Sequence, residues 1–277
     1  MQTAICHYSF HRRYKSENWT PDRVGEEIKA LGVKGIDFLV SLLGSLDGAE
    51  TILPAAVKNH GLILTGLSLS NNFNRDDAAE LAADIEAVKE QIRLAATLGA
   101  PVARIFGGHL SPELRADPDA KAAAFQKIVD GLGAVVGEAE NSGVVLAIEN
   151  HGGLPCTAEE QVSVIETIGS DFLKATIDIG NYMACGQEAD VATRIAAKHC
   201  AYVHFKDFKK VPDASKPWGW GIEPCTVGEG DVDARACIEA LVKVGYEGTI
   251  ALEYEGTEDE VTGVPKSTEF MKSVTPA

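Results

Sequence analysis

Glu149, Asp178, His204 and Glu253 each stand near the end of a short apolar run, in LAIENHGG (146–153), ATIDIG (175–180), AYVHFKDF (201–208) and TIALEYE (249–255). Read as strands, these runs alternate. Val145, Ala147, Glu149 and His151 share one face of the first, opposite Val144, Leu146 and Ile148. Asp178 lies opposite Ile177 and Ile179, His204 opposite Val203 and Phe205, and Glu253 opposite Leu252 and Tyr254. All four polar groups therefore share one parity and one height. Three carboxylates gathered at one point repel, and a divalent cation removes that conflict. Three oxygen ligands and one imidazole suit a fairly hard ion, Mn²⁺ first, with Mg²⁺, Co²⁺ or Zn²⁺ as substitutes. The plainer alternative is four unrelated strand-end groups, solvated or paired with Lys206 and Arg104. The shared parity favours the metal site.

Eight candidate strands must position these groups: residues 3–8, 35–40, 63–70, 102–106, 144–150, 175–180, 201–208 and 249–255. Ala-, Glu- and Lys-rich stretches lie between them, several closing on Gly, and WTPDRVGEEI and ADPDAKAAA open like capped helices. Eight alternations in 277 residues predict an α/β fold, a single (β/α)8 TIM barrel filling residues 1–277 with its active site at the C-terminal mouth. No linker divides the chain. The long stretch 209–231, KKVPDASKPWGWGIEPCTVGEGD, reads as an irregular functional loop leading to a helix capped by Asp231.

A hydrophobic content of 45% supports one large core, while 41 acidic against 25 basic residues give a formal charge of −16. That sign repels phosphate backbones and disfavours a nucleic-acid partner. No apolar run is long enough to span a membrane, and the N-terminal residues lack a signal-like apolar region. Six cysteines without a CxxC pair read as scattered thiols in a reducing compartment, so a cytoplasmic protein is expected.

In their order, LAIENHGG, TIDIGN, YVHFKDF and GYEGTIALEYEG resemble the xylose isomerase-like barrel superfamily, the sugar phosphate isomerase/epimerase group. The resemblance runs over nearly the whole chain. It implies that Glu149, Asp178, His204 and Glu253 bind one divalent metal, and that Glu149 and Glu253 work as paired acid/base groups on opposite faces of a sugar. Even-numbered homo-oligomers are common in the family. Several members carry His three residues after the metal Asp, where this chain has Asn181.

Such a site would take a proton from the carbon beside a carbonyl and pass through an enediolate. Its return to the opposite face is epimerisation, and to the neighbouring carbon isomerisation. The expected function is thus a metal-dependent isomerase or epimerase of a ketose or keto-sugar, with a small carbohydrate as its partner. Loss of a β-substituent from the same intermediate would make it a lyase or dehydratase on an inosose or 3-keto-glycoside. A nuclease of the endonuclease IV kind ranks third, since it needs more histidines and a basic groove. A barrel that binds sugar without turnover is the non-enzymatic alternative.

Four further residues are candidate substrate contacts. His151 follows Glu149 on the same face as a hydrogen-bonding or relay group, or a partner to a ligand. Lys206 would neutralise oxyanion charge or pair with an acid, Arg104 points inward because Ile105 needs the helix side, and Asn181 reaches a substrate hydroxyl or shapes a turn. Trp218 and Trp220 offer flat faces to a sugar ring, Ser70 and Asn72 close the third strand, Glu229 is a lid candidate, and Cys6 is a small buried filler.

Overall fold

The computed structural model describes residues 1–212 and 220–276. Eight parallel strands close into a barrel: β1 (Gln2–Cys6), β2 (Gly35–Leu39), β3 (Ile63–Ser68), β4 (Val102–Ile105), β5 (Val145–Glu149), β6 (Leu173–Asp178), β7 (Cys200–Phe205) and β8 (Thr249–Leu252). They neighbour one another in sequence order, and β1 closes on β8 through Gln2 opposite Thr249. Helices α1 (Pro21–Ala30), α2 (Ala49–His60), α3 (Ala78–Leu98), α4 (Pro118–Ser142), α5 (Ala158–Ile168), α6 (Ala189–Ala196), α7 (Ala234–Lys243) and α8 (Glu260–Val274) lie between and after the strands.

Local chemistry sets most boundaries. Thr20 caps α1 with Pro21 behind it, and Asp117 caps α4 with Pro118 behind it, as the sequence predicts. Gly143 ends α4 at φ 70°, a left-handed conformation that costs glycine little. Gly35 serves a different need: a Cβ there would lie 2.6 Å from the Ala4 Cβ, so only glycine lets β1 and β2 approach. Outward Ile36, Phe38, Ile105, Leu146, Ile148, Ile177, Val203, Phe205 and Ile250 are buried against the helices. Ala4, Ala147, Tyr202 and Ala251 fill the barrel interior beneath the mouth, where the Tyr202 hydroxyl meets Thr65 Oγ1 at 2.9 Å.

Three expectations need correction. The stretch after β7 is not wholly irregular: Phe208–Pro212 pairs antiparallel with Trp220–Pro224, with β-branched Val211 and Ile222 on its strands. Asp233, not Asp231, caps α7 by accepting from the Ala236 amide, and Asp231 instead accepts from the Lys210 amide of the ribbon. Cys156 and Cys185 are not scattered thiols but a disulfide pair with Cα atoms 6.0 Å apart, within the span such a bond needs. They are 29 residues apart in sequence, and only the packing of the loop after β5 on the turn after β6 joins them. Among the described residues no helix is long and apolar enough to cross a membrane.

His7, just past β1, packs edge-on against Tyr14 and Phe38 with ring centroids 4.3 and 5.9 Å away, and neither ring nitrogen has a hydrogen-bond partner. Burial lowers its pKa from 6.5 to about 3, so the folded chain keeps it neutral. Protons below pH 6.5 therefore favour the unfolded chain. His7→Leu is expected to remove this acid-sensitive component, which has a limiting slope of about 1.4 kcal/mol per pH unit. Urea unfolding of both proteins from pH 7 to pH 4 measures it, and parallel stability curves would refute it.

Candidate active site

Glu149 is the last residue of β5 and Asp178 the last of β6, while His204 is the penultimate residue of β7 and Glu253 follows β8 directly. All four are buried, and one ligand atom from each lies within 4.8 Å of the others. The imidazole sits at the centre. His204 Nδ1 is 2.9 Å from Glu149 Oε1 and 3.4 Å from Glu253 Oε2, while Nε2 faces Asp37 Oδ2 on β2 at 3.2 Å.

Two permanent cations enter the same space. Arg104 Nε lies 3.3 Å from Glu149 Oε2, its Nη1 donates to the Leu69 carbonyl at 3.0 Å, and its guanidinium sits 3.9 Å above the Phe106 ring. Lys206 Nζ lies 2.8 Å from Glu253 Oε2, 3.2 Å from Asp178 Oδ2 and 3.5 Å from Glu255 Oε1. Asp37, Glu149, Asp178 and Glu253 thus bring four buried carboxylates against Arg104 and Lys206. Even with a proton on His204 the four carboxylates outnumber the cations, so the cluster keeps a surplus of negative charge. Asp178 Oδ2 and Glu253 Oε2 also accept no well-aligned hydrogen bond. Charge, donor set and spacing all fit a divalent metal.

The supports are built into neighbouring segments. The amides of Gly180 and Asn181 donate to Asp178 Oδ1 at 2.9 and 3.0 Å. Asn150 pairs with the Asp178 backbone in both directions at 2.9 Å. Gln161 on α5 donates to the carbonyls of Ile148 and Thr176 at 2.8 Å each, and Tyr182 donates to Gln161 at 2.6 Å. These bonds fix the ends of β5 and β6 relative to each other, which is what geometric precision at a site requires.

Burial pushes the Glu149, Asp178 and Glu253 carboxyls up, and the neighbours decide the outcome. Glu149 is brought down to about 2 by His204 and Arg104, and Glu253 falls well below its ordinary range through Lys206 and His204. Asp178 rises to about 7, because burial and the two glutamates outweigh Lys206. Burial opposes the charge on His204 and Lys206, yet the surrounding carboxylates hold both well above their usual values.

The remaining candidates divide. Arg104 and Lys206 point inward and join the cluster. His151 lies beyond β5, exposed at the rim and tilted onto Phe106 with centroids 4.5 Å apart. Asn181 opens the turn after β6, and its buried Nδ2 has no partner. Both border a cavity of about 360 Å³ that is also lined by His109, Leu110 and Cys156. Ser70 and Asn72 engage neighbouring protein groups: the Ser70 amide bonds Gln91, and Asn72 Oδ1 accepts from the amides of Asn74 and His109. Glu229 is exposed. Trp218 lies outside the described residues, as does the side chain of Trp220. Cys6 does more than fill space, its thiol lying 3.9 Å from Glu253 Oε1. Two mouth residues escape sequence reasoning. Asp37 sits at an inward position of GIDFLV, a charge inside an apolar strand that could have signalled it. Tyr8 stands near enough to Glu255, Glu253 and Lys206 to feel their charges, but nothing in HYSFHRRYK separates it from its neighbours.

The family model for xylose isomerase-like TIM barrels matches residues 26–274. An uncharacterised protein of Methanocaldococcus jannaschii is 26% identical over 68% of this chain, which spans 61% of that relative's length. An L-ribulose-5-phosphate 3-epimerase of Escherichia coli is 25% identical over 90% of this chain and 86% of its own. The crystal structure of an E. coli 3-keto-D-glucoside 4-epimerase covers 99% of both chains with a TM-score of 0.78 at 15% identity, a likeness of fold.

A cation entering this cluster must displace protons from Asp178 and His204. Mn²⁺ affinity is therefore expected to rise with pH through about 7, the Asp178 pKa, and less steeply above it, where only the His204 proton is left to displace. Calorimetric titration in two buffers of different ionisation enthalpy reads affinity and proton release. Affinity and proton release that stay flat from pH 6 to 8 would contradict this assignment.

Proposed function

The chain belongs to the xylose isomerase-like TIM barrel family, and on that premise we propose that it is a divalent-metal-dependent isomerase or epimerase of a ketose or keto-sugar. The observation that carries this reading is the convergence of two glutamates with Asp178 and His204, donor atoms within 4.8 Å, at the C-terminal end of the barrel. Glu149, Asp178, His204 and Glu253 would hold one ion, Mn²⁺ by preference, with Mg²⁺, Co²⁺ or Zn²⁺ able to replace it. When bound, the ion supplies polarisation of the substrate carbonyl and compensation for enediolate charge.

The chain's own groups handle the proton. Arg104 and His204 hold Glu149 as a carboxylate, the form able to take a proton from the carbon beside the carbonyl. Glu253 is the second acid/base group, and Lys206 Nζ, 2.8 Å from its Oε2, is an ammonium from which a proton can reach it. Delivery to the opposite face inverts the carbon, and delivery to the neighbouring carbon exchanges aldose and ketose. His151 and Asn181, on the border between cluster and cavity, are placed to bind substrate hydroxyls, and the orphaned Asn181 Nδ2 has a free donor for one.

Elemental mass spectrometry is expected to find about one divalent metal per chain. A keto-sugar substrate should then take up deuterium from D₂O at the carbon beside its carbonyl. Glu149→Gln and Glu253→Gln should each cut turnover by about 10²–10⁴-fold, the usual contribution of a positioned acid or base, without changing the circular dichroism. Full activity in the double variant would sink the mechanism. Release of water or an aglycone, in place of exchange, would shift the assignment to a lyase.

A further inference from the structure

We propose that Asp37 is the positioning residue that fixes the ring of His204, keeping the proton on Nε2 so that the Nδ1 lone pair faces the carboxylate cluster. The inference rests on the metal-centre reading above and adds a residue from the opposite side of the barrel. Asp37 is 1% exposed, 167 residues away from His204 in sequence, and carried by β2. Burying a carboxylate away from water is costly unless it is bonded well. Its Oδ2 takes two donors, Ser68 Oγ at 2.9 Å and the Nε2 side of His204 at 3.2 Å, while the buried Oδ1 has none.

The backbone is shaped to allow this. The pairing of β2 with β3 shifts register between Ile36 and Asp37, so that Ile36 faces Leu64 while Asp37 faces Gly66. The skipped residue, Thr65, donates its hydroxyl to the Ile36 carbonyl at 3.0 Å. Bulges of this kind re-aim side chains near functional sites. Gly66 lies opposite Asp37, where a Cβ would come within 3.3 Å of the Tyr202 ring and make ordinary contact, at 3.4 Å, with Asp37 Oδ1. Bulge and serine together direct one carboxylate at one imidazole nitrogen.

An imidazole can offer only a nitrogen that carries no proton, and the bond made by its other nitrogen decides which one that is. Asp37 Oδ2 already accepts from Ser68 and meets His204 as an acceptor, so the nitrogen facing it keeps the hydrogen. Nδ1, 2.9 Å from Glu149 Oε1, is left as the ligand atom. Without Asp37 the ring is free to reverse its tautomer or turn away from the cluster.

The test uses Zn²⁺ as a diamagnetic probe with the full chain. Competition against a chromogenic chelator gives affinity, and long-range ¹H–¹⁵N spectra of ¹⁵N-histidine-labelled protein report which His204 nitrogen bears the proton. In the zinc-loaded wild type, Nε2 should be protonated. Asp37→Ala is expected to bind Zn²⁺ about 10–100-fold more weakly, the usual effect of losing such a support. Asp37→Asn can turn its carboxamide oxygen to both Ser68 and His204, and should restore most of the affinity and the wild-type tautomer. Zinc affinity in Asp37→Ala equal to wild type would overturn the inference and leave the metal centre standing. Should that variant not fold, the wild type alone decides: zinc on Nε2 with the proton on Nδ1 overturns it. Wild-type protein that takes up no zinc would overturn the metal centre itself and this inference with it.

Discussion

Four carboxylates buried in one barrel mouth form the constraint on which the rest of this structure depends. Charges removed from water cost several kcal/mol each unless compensated, and here the compensation is specific. Arg104 answers Glu149, Lys206 answers Asp178 and Glu253, and His204 stands between Glu149, Glu253 and Asp37. Burial and the two glutamates outweigh Lys206, which leaves Asp178 with a pKa of about 7. Perturbed titration of this sort is characteristic of places where chemistry happens.

The barrel supplies what the charges need. Small residues at Ala4, Ala147 and Ala251 leave room for Tyr202 to plug the interior below the mouth, so the polar layer rests on a packed floor instead of an open channel. Strand ends then become rigid platforms, and bonds from Asn150, Gln161 and Tyr182 tie two of them together. Above that layer, His151 and Asn181 line a cavity at the rim. The same rim carries the Cys156–Cys185 pair that joins the loops after β5 and β6.

Much of this was legible in the chain. Period-two alternation placed Glu149, Asp178, His204 and Glu253 on inward faces, because strands bury their bulky side outward against helices. The same argument put Arg104 inside, with Ile105 outside. What stayed hidden depended on partners distant in sequence. Asp37 has the inward parity too, yet its significance needs a histidine far along the chain and a bulge in the neighbouring strand. Asp231 and Asp233 are equally good caps on paper, and the ribbon decided between them by claiming Asp231.

The sequence by itself determined the architecture. Hydrophobic periodicity and helix caps are local properties, read within a few residues, and eight repetitions of them leave few ways to close a sheet. Tertiary structure alone decided which charges meet. Whether Lys206 is an oxyanion partner or a salt-bridge cation, which imidazole nitrogen faces the carboxylates, and which cysteines pair are questions of a few ångströms between segments far apart in the chain. Electrostatic interactions in a low-dielectric mouth change steeply over such distances, and those distances exist only once the barrel has closed.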